Sequence, residues 1–336
     1  MHSSKDGFTG PDGTASMATL TAPLAAHMAA LDSFLASELE HFEPELRDMV
    51  SDAFAHSGKR LRPILSFFSG WKGTEVNEAL VRSAAIVEMV HLATLVHDDI
   101  LDGAKLRHGA PTSVAVNGAH AAVLLGDALF SEALCLAADF ETTQVCRVVA
   151  RATRRVCAGE IGQTFARGDS ALSLESYYRA IELKTAELFR ASCYLGALIG
   201  GHGEQFANAA ETYGLHLGRA YQIYDDVADL LGDEKAIGKT LGTDLASGKF
   251  TLPLLLLLEG RDEAQRNEMA KELAQMSHED IREILEEAEI IPCVQEAFNA
   301  EITAAKLAIA PYSALPAFAP MRALAQFVGS LVSRMV

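Results

Sequence analysis

Apolar residues recur at intervals of three and four along nearly the whole chain, and alternation with a period of two is nowhere sustained. This spacing predicts helices, because 3.6 residues per turn bring positions i, i+3, i+4 and i+7 to one face. The pattern predicts helices over Leu20–Leu39, Glu43–His56, Val76–Asp102, Ser113–Phe140, Gln144–Gly159 and Ile161–Arg167. It continues over Leu174–Ile199, Glu204–Leu231, Leu252–Glu259, Arg261–Met276, His278–Ala288, Ile291–Ala310 and Ala317–Val336. Gly58 breaks one helix and Pro63 can open the next, while Gly109 and Pro111 mark a loop. No Pro/Gly/Ser-rich linker divides the chain after residue 20, so residues 17–336 read as one all-α domain. Residues 1–16 are rich in Gly, Ser, Asp and Thr and read as a disordered leader or an expression remnant, with Met17 a candidate natural start.

Two acidic runs interrupt the apolar pattern at the same spacing: Asp98, Asp99 and Asp102 in the first, Asp225, Asp226 and Asp229 in the second. Within each run the first and last acids stand on one helix face, one turn apart, where like charges repel. Acidic runs are commonly solvated or cap helices. These two are set among Ile, Leu, Val and Ala instead, and the first ends its helix, where acids oppose the helix dipole. Cations between the carboxylates would relieve both costs. The hard cation that takes a few carboxylate oxygens and keeps other positions for phosphate is magnesium.

Basic, glycine-containing segments follow both runs. Arg107 and His108 come after the first, and Lys235, Lys239 and Lys249 come after the second among Gly232, Gly238, Gly242 and Gly248. Earlier, Gly58-Lys59-Arg60-Leu61-Arg62-Pro63 places three cations in four residues. Alone it reads as a solvated turn; beside paired acidic runs it reads as a phosphate cradle, Arg as a fork and Lys as a point charge. Together these segments describe a diphosphate-handling site lined by apolar helices.

Composition narrows the alternatives. A formal net charge of -17 excludes a general nucleic-acid surface and simple adsorption to anionic lipid. The apolar run Leu252–Leu258 is far too short to span a bilayer, so no transmembrane segment is expected. Cys135, Cys146, Cys157, Cys193 and Cys293 are odd in number, widely spaced and without CxxC, and are expected to be reduced core thiols of a cytoplasmic protein.

The chain resembles the trans-isoprenyl diphosphate synthases, or polyprenyl synthetases, essentially from Met17 to the C-terminus. The resemblance rests on GKRLRP at Gly58–Pro63, HLATLVHDDILD at His91–Asp102, GEIGQ at Gly159–Gln163, KTAELF at Lys184–Phe189, and YQIYDDVAD with the following GDEKAIGKTLGTDLASGKFTLP at Tyr221–Pro253. It implies an all-α isoprenoid synthase-type helical bundle around a central cavity, as a homodimer. It further implies that Asp98, Asp102 and Asp225 hold three Mg2+ ions on an allylic diphosphate, with Asp99, Asp226 and Asp229 supporting them. Arg107, Lys184, Lys239 and Lys249 would contact that diphosphate, and Thr185 and Gln222 would line the reacting carbons. Lys59, Arg62 and His91 would hold isopentenyl diphosphate, with Tyr221 near its hydrocarbon. The implied reaction is head-to-tail condensation, with no protein nucleophile.

The family pattern RRGxPT here reads Arg107-His108-Gly109-Ala110-Pro111-Thr112. A neutral imidazole at the second position offers one donor where guanidinium offers five and a fixed charge. Chain elongation is placed first on Lys59, Arg62 and His91. A terpene cyclase-like relative, or an inactive partner subunit, is the alternative that His108 leaves open. Ala93 and Thr94, one turn before the first acidic run, are small where relatives that stop at C15 commonly carry bulky aromatics. They imply a product of C20 or longer, in the range C30–C45, with the tunnel floor near Val87, Val90 or the Leu129–Leu134 segment. His97 is expected to be a packed helix residue or one that supports the site from behind, Glu160 and Gln163 core hydrogen-bonders, and Asp127 a structural polar contact or a supporting group, as a lone buried acid satisfied by its neighbours.

Overall fold

The structure, a computed structural model, describes residues 16–107, 109–169, 171–232 and 242–332. His108, Lys235 and Lys239, and the leader apart from Ser16, lie outside the described residues.

The helices that position the site are α1 (Ala25–Glu38), α2 (Arg47–Ala55), α3 (Leu61–Ser69), α4 (Glu78–Leu101), α5 (Ser113–Ala138) and α6 (Thr143–Phe165). They are followed by α7 (Leu174–Ile181), α8 (Glu187–Ile199), α9 (Glu204–Leu231), α10 (Leu252–Leu257), α11 (Glu263–Leu273), α12 (His278–Glu287), α13 (Ile290–Ile309) and α14 (Phe318–Gly329). Polar side chains fix several starts: Asn77 accepts from the Leu80 amide, Thr112 from Ala115, and Ser173 from Ser176. Capping boxes open α11 at Asp262 and α12 at Ser277.

α4 is the central helix. It packs on α5, α3, α8 and α1, while α9 packs on α8 and α13. Leu80, Ala84, Ala85, Ile86, Val87, Met89, Val90 and Ala93 of α4 are all buried. α4 and α5 are long and apolar enough to cross a membrane by length and composition, although Leu252–Leu258 is not. Most of α4 is enclosed by its neighbours, and it carries the buried acids Glu88 and Asp99, as a bundle's core helix can when those acids have work to do. α5 is less covered: Val116, Val123, Leu124 and Leu134 lie exposed along it.

Several boundaries differ from the sequence pattern. Pro23 falls in a short 3-10 turn, Ala22–Leu24, that interrupts the expected Leu20–Leu39 helix. α6 runs unbroken through Gly159, where two helices were expected. The expected Leu174–Ile199 helix is divided by a π-helical segment, Glu182–Ala186. Gly118, at φ 81°, breaks α5 near its start. The loop before α5 contains a two-residue antiparallel ladder of β1 (Leu106–Arg107) with β2 (Ala110–Pro111), too short to register as a period in sequence.

Two burial expectations are corrected. Of the five free cysteines only Cys193 is buried; Cys146 is half-buried and Cys135, Cys157 and Cys293 are exposed, because their helices turn those positions outward. Asp127 is likewise exposed rather than buried, on the α5 face that looks away from the core, 3.6 Å from His97 Nε2.

Candidate active site

The π-helical segment between α7 and α8 joins the two acidic helices. Its extra residue per turn sets Lys184 toward α4 and Thr185 toward α9. Lys184 Nζ lies 3.3 Å from Asp98 Oδ2, pairs closely with Glu160, and donates to Gln163 Oε1 at 3.0 Å. Thr185 Oγ1 donates to Gln222 Oε1 at 2.7 Å, and Gln222 Nε2 donates onward to Asp226 Oδ1 at 2.8 Å. Gly159 makes this approach possible, since a Cβ there would come within 2.7 Å of the Lys184 amide nitrogen. The GEIGQ stretch thus has a physical role: glycine admits the π segment, and Glu160 and Gln163 hold its lysine. Both were expected to be core hydrogen-bonders, yet they face the same ammonium as Asp98.

The acids divide into two groups. Asp99, Asp226 and Asp229 are buried and committed to the protein. Asp99 Oδ1 accepts from Arg107 Nε at 3.0 Å and Nη2 at 2.7 Å. Asp226 Oδ2 accepts from the Tyr177 hydroxyl at 2.6 Å. Asp229 accepts from Thr243 Oγ1 at 2.9 Å and from the Asp244 amide at 3.0 Å. Asp98, Asp102 and Asp225 are less enclosed. Asp102 Oδ2 lies 3.5 Å from Lys249 Nζ, and its Oδ1 pairs closely with Arg167. Lys249 itself is held over Asp244, 3.7 Å from that carboxylate, in a loop that the Gly168 amide ties to the Gly248 carbonyl at 2.8 Å.

Electrostatics follow this division. Burial pushes the Asp98 carboxyl up to about 6, against Lys184 and with help from Glu160 and Asp102. Burial would raise Asp102 as well, but Lys249 and Arg167 outweigh it and hold that carboxyl below its ordinary range. Burial, reinforced by Asp244, holds Asp226 well above the ordinary range, partly offset by Tyr177 and Gln222. Lys184 is raised: burial lowers it, and Asp98 and Glu160 more than compensate.

The basic turn before α3 is strained by design. Gly58 has φ 70° and Arg60, not a glycine, has φ 49°. Arg60 is committed to the turn itself: Nε donates to Ser57 Oγ at 2.7 Å, Nη2 to the Phe54 carbonyl at 3.0 Å, and Nη1 pairs with Asp32. Arg62 points the other way, its guanidinium 5.2 Å over the Phe189 ring, which itself lies 5.7 Å from the Tyr221 ring. Lys59 is exposed on the same turn and His91 is half-buried on α4. Sequence reasoning did not reach Arg167, Tyr177, Thr243 or Asp244. Each is held to its acid across a loop or between helices, a relation that spacing along one helix does not show.

Ala93 is fully buried and Thr94 partly so, with Thr94 Oγ1 donating to the His91 carbonyl at 2.7 Å. Below them Val87, Val90, Leu129 and Ala133 are buried, whereas Leu134 faces outward and cannot line an interior floor. His97 sits at the α4–α5 seam, its ring packed on Phe130 and Nε2 3.3 Å from the Val123 carbonyl, as a packing residue.

A family profile described as polyprenyl synthetase matches residues 43–288. Heptaprenyl diphosphate synthase component 2 of Bacillus subtilis (strain 168) is 31% identical over 311 residues, 88% of this chain and 89% of its own. Nonaprenyl diphosphate synthase of Mycobacterium tuberculosis (strain ATCC 25618 / H37Rv) is 33% identical over 242 residues, 72% of each chain. A polyprenyl synthase from Caulobacter crescentus CB15, solved with calcium and isoprenyl diphosphate, superposes with a TM-score of 0.82 at 31% identity, covering 97% of this chain and all of that one.

Proposed function

The chain belongs to the polyprenyl synthetase family, and from that membership we propose that residues 17–336 form a trans-polyprenyl diphosphate synthase. It lengthens an allylic diphosphate with isopentenyl diphosphate, head to tail, to a product of C20 or longer in the range C30–C45. The names of the heptaprenyl and nonaprenyl relatives support that range, as do the small side chains of Ala93 and Thr94. The observation that carries the reading is the joining of both acidic helices at one π segment, with Lys184 on Asp98 and Thr185 on Gln222.

Asp98, Asp102 and Asp225 would hold three magnesium ions, and a donor set made only of carboxylate oxygens fits a hard divalent cation. Magnesium, when bound, would supply Lewis-acid stabilisation of the diphosphate as it departs. Asp99, Asp226 and Asp229 hold the acidic turns in place from behind. Lys184 and Lys249 stand at the edge of the carboxylates, where their ammoniums can meet the oxygens of the allylic diphosphate; Arg107 and, outside the described residues, Lys239 are assigned to the same diphosphate from the sequence motifs. Lys59, Arg62 and His91 hold the isopentenyl diphosphate, and Thr185, Gln222 and Tyr221 orient the two hydrocarbon ends. The allylic C–O bond breaks and its electron pair leaves with diphosphate. The isopentenyl double bond then forms the new C–C bond, and a proton passes to the released diphosphate. The protein contributes orientation and charge, with no covalent intermediate.

The cyclase-like alternative turns on His108, which lies outside the described residues, and the described cations Lys59 and Arg62 favour elongation over it. Two copies joined through the exposed apolar face of α5 make a homodimer, and five free cysteines suit a reducing, cytoplasmic setting. The test is incorporation of labelled isopentenyl diphosphate with a C15 or C20 allylic diphosphate, with magnesium and with EDTA. Magnesium-dependent incorporation is expected. Full turnover in EDTA, or none under either condition, overturns the reading.

A further inference from the structure

α3, α4 and α8 meet along one seam whose register is set by close contacts. A Cβ on Gly70, the C-cap of α3, would lie 2.6 Å from the Gly196 carbonyl of α8 and 2.8 Å from Leu80 of α4. The short connection between α3 and α4 makes them antiparallel neighbours. Eight residues back along α3 and eight forward along α4 cover the same distance, about 12 Å. That step takes Gly70 to Arg62 and Leu80 to Glu88, so the two charged residues lie at similar heights along the two helices. Along α4, Glu88, His91, Leu95, Asp98 and Asp102 follow one another at spacings of three and four, so Glu88 lies on the stripe that carries the site.

Glu88 is 1% exposed, and neither of its carboxylate oxygens has a hydrogen-bond partner among the described residues. The Arg62 Nε is buried and equally unpartnered. The charges are within each other's field. Burial pushes the Glu88 carboxyl up to about 7, opposed by Arg62 and Arg60, and burial lowers Arg62 to about 10, opposed by Glu88 and Tyr221. Arg60 is already spent on Asp32, Ser57 and Phe54, which leaves Arg62 as the guanidinium that Glu88 can serve. An unpaired buried carboxylate lowers stability where it stands. A glutamate in that position is explained by what it does for its neighbour.

We infer that Glu88 is a positioning residue whose carboxylate, facing Arg62 across the helix pair, orients the half-buried Arg62 guanidinium toward the diphosphate of isopentenyl diphosphate. The inference rests on the reading of Lys59, Arg62 and His91 given above. Glu88 then governs affinity for the second substrate and leaves departure of the allylic diphosphate alone.

The experiment compares Glu88→Gln, Glu88→Asp, Arg62→Lys and the double variant Glu88→Gln/Arg62→Lys by steady-state kinetics at pH 8, after wild-type turnover has been established. Glu88→Gln should raise KM for isopentenyl diphosphate about tenfold, the effect expected when a buried charge that acts on Arg62 through its field is neutralised. KM for the allylic substrate should stay within about twofold, and Glu88→Asp should fall between wild type and Gln. In the Arg62→Lys background, which has lost the fork that Glu88 orients, Glu88→Gln should add about twofold or less. An unchanged KM for isopentenyl diphosphate in a folded, active Glu88→Gln enzyme overturns the inference and leaves the proposed function standing. So does a parallel loss of both KM values and of thermal stability, the behaviour of a packing residue. A wild type that consumes no isopentenyl diphosphate overturns the proposed function itself.

Discussion

Lys184 ties the π segment to the first acidic run, and among the described residues it is the one cation that meets Asp98, Glu160 and Gln163 together. Asp98→Ala should leave a folded protein whose turnover with isopentenyl and allylic diphosphates drops by several orders of magnitude, as measured by product formation under saturating magnesium. Glu88 yields a prediction of pH dependence. Its folded pKa of about 7 exceeds the ordinary 4.5, so its contribution to stability is fully present below pH 4.5 and is lost as pH rises through 7. Between pH 5 and pH 8, Glu88→Gln should therefore gain about 2 kcal/mol relative to wild type in denaturant unfolding. No relative gain would mean that the carboxyl titrates normally. His108→Arg should lower KM for isopentenyl diphosphate more than KM for the allylic substrate, since guanidinium adds a fixed charge and a fork. The six aspartates, Lys249 and the basic turn were singled out by spacing and setting and Lys184 by the resemblance, and the structure gathers Lys184 on Asp98 and Lys249 on Asp102. Arg167 and Tyr177 were not singled out, because Arg167 reaches its acid from the turn after α6 and Tyr177 from α7. Spacing alone left open which of the three clustered cations serves the site; the resemblance named Lys59 and Arg62, and the structure commits Arg60 to Asp32, Ser57 and the Phe54 carbonyl.

The π-helical segment is the element that sequence periodicity missed. A single inserted residue barely disturbs an apolar pattern that resumes in the next turn, so Leu174–Ile199 reads as one helix. What holds the segment is a set of half-buried charges: Glu182 accepts from Arg155 Nη2 at 2.8 Å and from Arg219 Nη2 at 2.5 Å, while Arg155 Nε also reaches Glu187 at 2.8 Å. Removing one partner leaves the others uncompensated. Glu182→Gln should cost about 1–3 kcal/mol of stability, and should lower kcat by misplacing Lys184 and Thr185; equal kcat in a folded variant would show that the charges serve the fold alone. α4 carries the second prediction at this scale. Ala93 is fully enclosed, so a larger side chain there must displace its neighbours, obstructing the path proposed for the growing chain or overpacking the bundle. Ala93→Phe should shorten the main product in a folded, active enzyme, and an unchanged product distribution would place the growing chain elsewhere.

At the scale of the whole molecule, the all-α class was legible because helical spacing covers almost the entire chain, and the pairing of the acidic runs was legible because their spacing matches. Which face of each helix looks outward was not. The exposed cysteines and Asp127 show that an apolar context in sequence does not fix burial when a helix has its own uncovered face. α5 has such a face, and if the proposed homodimer is joined there, Val123→Asp with Leu124→Glu should convert a species of twice 36.0 kDa into one of 36.0 kDa in sedimentation. The central claim is that this bundle elongates prenyl diphosphates and does not cyclise them. It is tested most directly by incubating the protein and magnesium with isopentenyl diphosphate and, in turn, C5, C10, C15 and C20 allylic diphosphates, then separating the products before and after phosphatase treatment. The account predicts linear alcohols in the C30–C45 range that appear only after phosphatase. Hydrocarbons or cyclic alcohols present without phosphatase, or a product that stops at C15, would contradict it.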